Sequence, residues 1–229
     1  KKTKSTTSIP TQTQVVKVPD FNADSAYNYV KKQLDFGPRV PGSTAHAQCA
    51  EWFVDFFNDK ANTVYIQNFR TRLYNGQGID GKNIIASFNP LAKKRILLAA
   101  HWDSRPFADH DPDEKNWNTP IDGANDGASS IGVMLELARQ LHQDAAEKGD
   151  SSFFALRPSL GIDFICWDAE DCGTPSFDAH GENHESTWCL GSQYWSGKHH
   201  VDGYTARYGI NLDMVGNANS IFFRETISM

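Results

Sequence analysis

Apolar residues recur along this chain in two rhythms, one of helical spacing and one of short continuous or alternating runs, and the switches between them mark the elements. Tyr27, Val30 and Leu34 fall on one face of a helix predicted over 24–36 and opened by an Asx or Ser cap. The turn Gly37-Pro38-Arg39-Val40-Pro41-Gly42-Ser43 stops it. A second helix is predicted over 44–59, with Cys49, Phe53 and Phe56 in register. Strand-like runs follow at 63–74, 82–88 and 95–100, and the tip Asn75-Gly76-Gln77-Gly78 has the chemistry of a hairpin turn, so the first two should pair antiparallel. The run 96–100 is short and continuously apolar, as a central strand is.

Beyond a long polar stretch at 101–122, Ile131, Met134, Leu135, Ala138 and Leu141 mark an amphipathic helix over 129–141. Leu160–Trp167 reads as a buried strand, 208–215 as another and 220–228 as strand-like. Strands alternate with helices, with no internal repeat and no interdomain linker. The expectation is one α/β domain whose mixed, mostly parallel twisted sheet is flanked by helices.

Composition narrows the class. An apolar fraction of 39% in 229 residues is ample for one packed core. The net charge of −6, without a Lys/Arg stripe, argues against a nucleic-acid partner. No apolar run reaches the roughly 18 residues that a membrane helix needs. Residues 1–15 are rich in Thr, Ser, Lys and Gln, so 1–20 is expected to be a flexible tether and 21–229 the folded domain. Such a tether is often what remains after an export signal is removed. Cys49 and Cys166 sit in apolar patterns and read as core residues. Cys172 and Cys189 bracket a Gly- and Pro-containing stretch of sixteen residues, where either a disulfide outside the cytosol or two free thiols is possible.

Chemistry gathers where the strands end. His101 and Asp103 follow the first central strand, Asp168, Glu170 and Asp171 follow Leu160–Trp167, and Asp213 lies near the end of the next; Asp126 stands just before a helix. Singly, each is ordinary: an acidic pair is usually a solvated loop, and Asn125-Asp126-Gly127 is usually a turn. Together they sit where α/β sheets bind ligands, at the carboxyl ends of strands. Converging carboxylates repel one another and call for a cation; oxygen and imidazole donors without thiolate suit catalytic zinc. Asp213, within an apolar strand pattern, is expected to be buried.

The ordered motifs His101-Trp102-Asp103-Ser104-Arg105-Pro106-Phe107, Gly123-Ala124-Asn125-Asp126, Asp168-Ala169-Glu170-Asp171, Gly191-Ser192 and Leu212-Asp213-Met214-Val215-Gly216, with the Gly37–Gly42 turn and the segment 134–139, resemble the zinc aminopeptidase superfamily and, within it, the glutaminyl cyclases. The resemblance implies a zinc exopeptidase-like fold and a glutaminyl-peptide cyclotransferase that turns N-terminal glutamine into pyroglutamate. It implies one zinc ion held by Asp126 and Asp171, Glu170 as general acid/base, Asp213 beside the reacting groups, and His101 near the metal without ligating it. The family's third ligand is a histidine beyond the Asp213 strand, and none follows His200 here, so the domain is expected to be C-terminally incomplete. The cysteines that form a disulfide in mammalian cyclases map to Ala100 and Ile131, which points to the bacterial branch and, with the tether, to an exported, periplasmic or lipid-anchored monomer. Its partners would be peptides or proteins beginning with Gln. A two-zinc aminopeptidase using His101 and Asp213 is the rival reading, and a non-catalytic metal-stabilised binding module is a third. The insert 172–190, nineteen residues where aminopeptidases have a short turn, favours the cyclase.

Overall fold

A computed structural model describes residues 20–178 and 185–221. The tether at 1–15 and all but the start of the run at 220–228 lie outside the described residues. Helix α1 (Ala23–Leu34) is capped by Asn22, whose side chain accepts the Ser25 N–H, and α2 (Thr44–Lys60) by Ser43, which accepts the His46 N–H. Strands β1 (Thr63–Arg72) and β2 (Gly78–Phe88) form the expected antiparallel hairpin, with Arg72 opposite Gly78. Strand β3 (Lys94–His101) leads through α3 (Ala128–Lys148) to β4 (Leu160–Trp167), and α4 (Leu190–Gly197) leads to β5 (Tyr208–Asn211).

The strand order is β1-β2-β4-β3-β5. β3 runs parallel to β4 and β5, whereas β2 is antiparallel to β1 and β4, so the sheet is mixed. Having left β3, the chain enters β4 on one side of it and later β5 on the other. The carboxyl ends of all three parallel strands therefore meet, with His101 opposite Trp167 and Ala99 opposite Asn211. That reversal of strand order is where a crevice opens in such sheets.

The pleat sorts β4 by parity. Ile162, Phe164 and Cys166 face a core made with Cys49, Phe53 and Phe57 of α2 and Ile131, Met134 and Leu135 of α3. Ile165 and Trp167 face the other way, against Ile85, Ala99 and Trp195. Asp163 points to that second side too, fully buried and held by Arg95 Nε and Nη2, the Ser87 hydroxyl and, at 2.8 Å, the Tyr204 hydroxyl.

Several expectations change. The buried positions of α1 are Ala26 and Gln33, not Tyr27, which is exposed; Gln33 turns inward to donate to the Ala128 carbonyl at 3.0 Å. α3 runs two turns past Leu141, where no apolar rhythm marks it; i,i+4 pairs such as Gln143–Glu147 and Asp144–Lys148 support the last segment. β5 ends at Asn211, and Asp213, expected inside a strand and buried, lies on the loop beyond it with its side chain half exposed. α4 was absent from the sequence reading; at eight residues it shows too little periodicity to detect.

Candidate metal centre

His101, the last residue of β3, is buried, and its Nε2 lies 2.7 Å from Asp126 Oδ1 and 3.6 Å from Asp213 Oδ1. One donor atom from each of these three residues falls within 4.8 Å of the others. On the opposite side of the ring, Nδ1 is 3.5 Å from Asp103 Oδ1. Burial opposes a charged imidazole, but the carboxylates of Asp103, Asp126 and Asp213 outweigh it and hold His101 well above its ordinary pKa.

Asp126 and Asp213 come together because Asn125 joins their loops. Its Oδ1 accepts the Gly216 N–H at 2.8 Å, and the Ser129 hydroxyl, bonded to the Asn125 carbonyl, accepts the Val215 N–H at 3.1 Å. Gly127 in the Asn-Asp-Gly segment serves close approach: a Cβ there would stand 2.3 Å from the His101 carbonyl oxygen and 2.6 Å from its Nε2. Arg39, from the Gly37–Gly42 turn, is fully buried and donates to the carbonyls of Trp102, Asp122 and Gly123 at 2.7–3.0 Å. It thereby fixes the two segments that carry Asp103 and Asp126.

The acidic pair leaves β4 through Asp168, which accepts from His46 Nε2 at 2.8 Å and from the Lys82 N–H at 2.6 Å. Buried Asp103 then accepts the backbone N–H of Glu170 at 3.0 Å and of Asp171 at 3.1 Å. Asp171 is buried; its Oδ1 lies 3.5 Å from Arg105 Nη1, and its Oδ2 has no hydrogen-bond partner among the described residues. Burial, then the charges of Asp103 and Asp126, push its carboxyl up to about 8, against the pull of His101 and Arg105. Glu170 is half-buried and also raised, by burial first and then by Asp103 and Asp213. Asp171 stands outside the His101–Asp126–Asp213 group.

The insert lies against this centre. Arg105 pairs with Asp109 through two bonds of 2.6 Å, Asp109 accepts the Ser176 N–H at 2.7 Å, and the Arg105 guanidinium sits 4.7 Å over the Trp188 ring. All four cysteines are free thiols, which removes the bridge considered between Cys172 and Cys189. Each turns instead to a carboxylate: Cys172 Sγ is 3.8 Å from Asp103 Oδ2, and Cys189 Sγ is 3.2 Å from Glu170 Oε1. Arg39 and Arg105 stand in the quoted motifs without a role of their own there, and from sequence Cys189 stands only as one end of a possible bridge.

An α/β scaffold with metal-ligating residues gathered at its strand ends is the class that this fold and centre define. The model for Peptidase family M28 matches residues 83–228, more than half of the chain, and the chain belongs to that family. A solved glutaminyl cyclase of Bacteroides thetaiotaomicron, bound to N-acetylhistamine, is 50% identical, with a TM-score of 0.83 over 93% of this chain and 68% of its own. A leucine aminopeptidase precursor from the same organism is 51% identical, with a TM-score of 0.82 over 91% of this chain and 67% of its own. The glutaminyl-peptide cyclotransferase of Gloydius blomhoffii is 29% identical over 81% of this chain, which spans 49% of that relative. The chain thus spans about half the length of this curated relative, and a smaller part, 27%, of the bovine cyclotransferase.

Proposed function

We propose that this chain carries the active site of a glutaminyl-peptide cyclotransferase, which converts N-terminal glutamine of peptides and proteins to pyroglutamate with release of ammonia. One observation carries the reading. The described parts of the insert, 172–178 and 185–190, flank the acidic centre, and Cys189 at its end bonds Glu170 through both its thiol and its backbone N–H, so the proton-transfer carboxylate is contacted by a segment that a short turn would not supply. The names of the Bacteroides and Gloydius relatives support the same reaction.

The donor set fits zinc. Asp126 and Asp171 offer carboxylates, and the unpartnered buried Oδ2 of Asp171 and its raised pKa are what like charges without a counter-ion produce. Zinc held by Asp126 and Asp171 would supply a Lewis acid for the γ-carboxamide oxygen. The protein's own part is proton handling and exclusion of water. The substrate's α-amine attacks the carbonyl carbon of the γ-carboxamide, a C–N bond forms there and the bond from that carbon to the amide nitrogen breaks. Glu170 takes the proton from the amine and returns it to the departing ammonia; its raised pKa suits a group that must do both. Asp213, exposed beside the centre, would accept from the substrate's N–H groups. Water is not consumed, and ring closure within one molecule gives proximity without a second reactant.

One observation favours a second reading. The close approach of His101, Asp126 and Asp213 is a donor set for another metal, as a dinuclear aminopeptidase requires. Incubating the zinc-loaded full-length protein with a Gln-initiated peptide decides between the two: ammonia and a pyroglutamyl peptide are expected, whereas free glutamine would mean hydrolysis of the first peptide bond. The Lys-, Thr- and Ser-rich start of the chain supports an exported, envelope-associated protein, to be tested by cell fractionation. No helix among the described residues is long and apolar enough to cross a membrane.

A further inference from the structure

A general base must present one carboxylate oxygen in a fixed direction, and the charges around Glu170, the attraction of His101 and the repulsion of Asp103 and Asp213, lack the directionality of a hydrogen bond. Cys189 supplies the missing restraint. Its backbone N–H donates to the Glu170 carbonyl at 2.9 Å, and its thiol donates to Glu170 Oε1 at 3.2 Å. One residue thus grips both the backbone and the carboxylate of Glu170.

The grip continues along the chain. Leu190 N–H donates to the Ala169 carbonyl and Gly191 N–H to the Asp168 carbonyl, each at 3.0 Å. These are donors at the start of α4, which no helical carbonyl can satisfy, and here they close on the segment that bears the acidic pair. Gly191 is needed for that approach, since a Cβ would stand 2.3 Å from the Asp168 oxygen and 2.4 Å from Asn83 Oδ1. Cys189 itself is held left-handed, at φ 55 and ψ 34, a conformation that a residue with a Cβ adopts only when its surroundings impose it. Burial and the neighbouring Glu170 charge push the thiol up to about 12, so it remains a donor at neutral pH.

We infer that Cys189 is a positioning residue for Glu170: its thiol fixes Oε1 and leaves Oε2 to meet the proton that the reaction moves. This rests on the reading of Glu170 as the proton-transfer group. The insert then has a task, which is to carry Cys189 back to the end of β4.

The test uses the zinc-loaded full-length protein and the variants Cys189→Ala, Cys189→Gly and Cys189→Ser. Removing a donor to a charged group should lower kcat about tenfold in the Ala and Gly variants, with KM within about twofold. Serine, which keeps a donor, should recover most of the loss. Glycine suits the positive φ, so its variant should unfold at or above the wild-type Tm, and a loss of kcat there cannot be ascribed to the fold. The infrared S–H stretch gives a readout apart from turnover: it should lie low in the wild type and rise in Glu170→Gln. Wild-type kcat in both the Ala and Gly variants, no recovery by serine, or an S–H band unmoved by Glu170→Gln overturns the inference. If the wild type releases free amino acids in place of ammonia, the cyclase reading falls. The same variants are then compared on that hydrolysis, in which Glu170 moves the same kind of proton, so Cys189 is still judged.

Discussion

Asp103 Oδ1 accepts the backbone N–H of Glu170 at 3.0 Å, which ties the segment after β3 to the segment after β4. Its other oxygen accepts the Asp171 N–H at 3.1 Å. The orientation of the acidic pair is therefore set through the backbone by a carboxylate that is itself fully buried. Asp103→Ala would leave two amides without an acceptor, the Asp171 N–H buried and the Glu170 N–H partly so, at about 1–3 kcal/mol each for full burial. A stability loss of about 3 kcal/mol in urea unfolding is expected, and Asp103→Asn, which keeps one acceptor oxygen, should lose less. An alanine variant as stable as wild type would contradict this account.

Glu170→Gln should preserve fold and zinc content while lowering cyclisation by about two to four powers of ten, the usual contribution of a general acid/base. The glutamine keeps the shape of the side chain but cannot take the proton. Retention of more than about a third of the wild-type rate would refute the assignment.

The sequence made the framework legible and the supports illegible. α2 and β4 matched their expected positions closely because their apolar positions follow a single rhythm, and Phe53, Phe56 and Ile162–Cys166 are where that rhythm placed them. His101, Asp126 and Asp213 were each visible as polar residues at strand or helix ends, and strand order together with the loop bonds of Asn125 and Ser129 brings them together. Arg39, Arg105 and Cys189 act on backbone carbonyls or carboxylates far away in the chain, as when Arg39 reaches Gly123, and no local spacing encodes such a partner. Asp213 misled for the opposite reason: its neighbours Leu212, Met214 and Val215 mimic a strand, while Val215 and Gly216 are in fact bound to Ser129 and Asn125 in a loop.

Asp109 gives a pH signature for the insert's attachment. Burial opposes its charge, but the bonds from Arg105 and from the Ser176 N–H outweigh this and lower its carboxyl to about 2, from an ordinary 3.8. A folded-state pKa below the unfolded one means that the stabilisation is fully present above the ordinary value and is lost as pH falls through the folded value. Asp109→Asn should therefore destabilise near neutral pH, by about 3 kcal/mol for a buried pair stripped of one partner. Its deficit against wild type should shrink as pH drops from about 4 towards about 2. A deficit constant across that window in urea unfolding would show that the Arg105–Asp109 charge pair is not its cause.

Zinc stoichiometry separates the two readings of the centre, because Asp126 faces two neighbourhoods. On one side stand His101, at 2.7 Å, and Asp213; on the other is Asp171, whose carboxyl feels the Asp126 charge and is raised to about 8. A single catalytic zinc uses the Asp171 side, so the full-length protein should keep one zinc per chain through dialysis, by elemental analysis. Asp171→Asn and Asp126→Asn should each lose it, since a zinc centre with one of three protein ligands removed binds far more weakly. His101→Asn should leave zinc content unchanged, because in this reading the imidazole donates to Asp126 and orients it, as an outer partner does. Two zincs in the wild type, falling to one in His101→Asn, would place a metal among His101, Asp126 and Asp213 and transfer the protein to the dinuclear, hydrolytic reading.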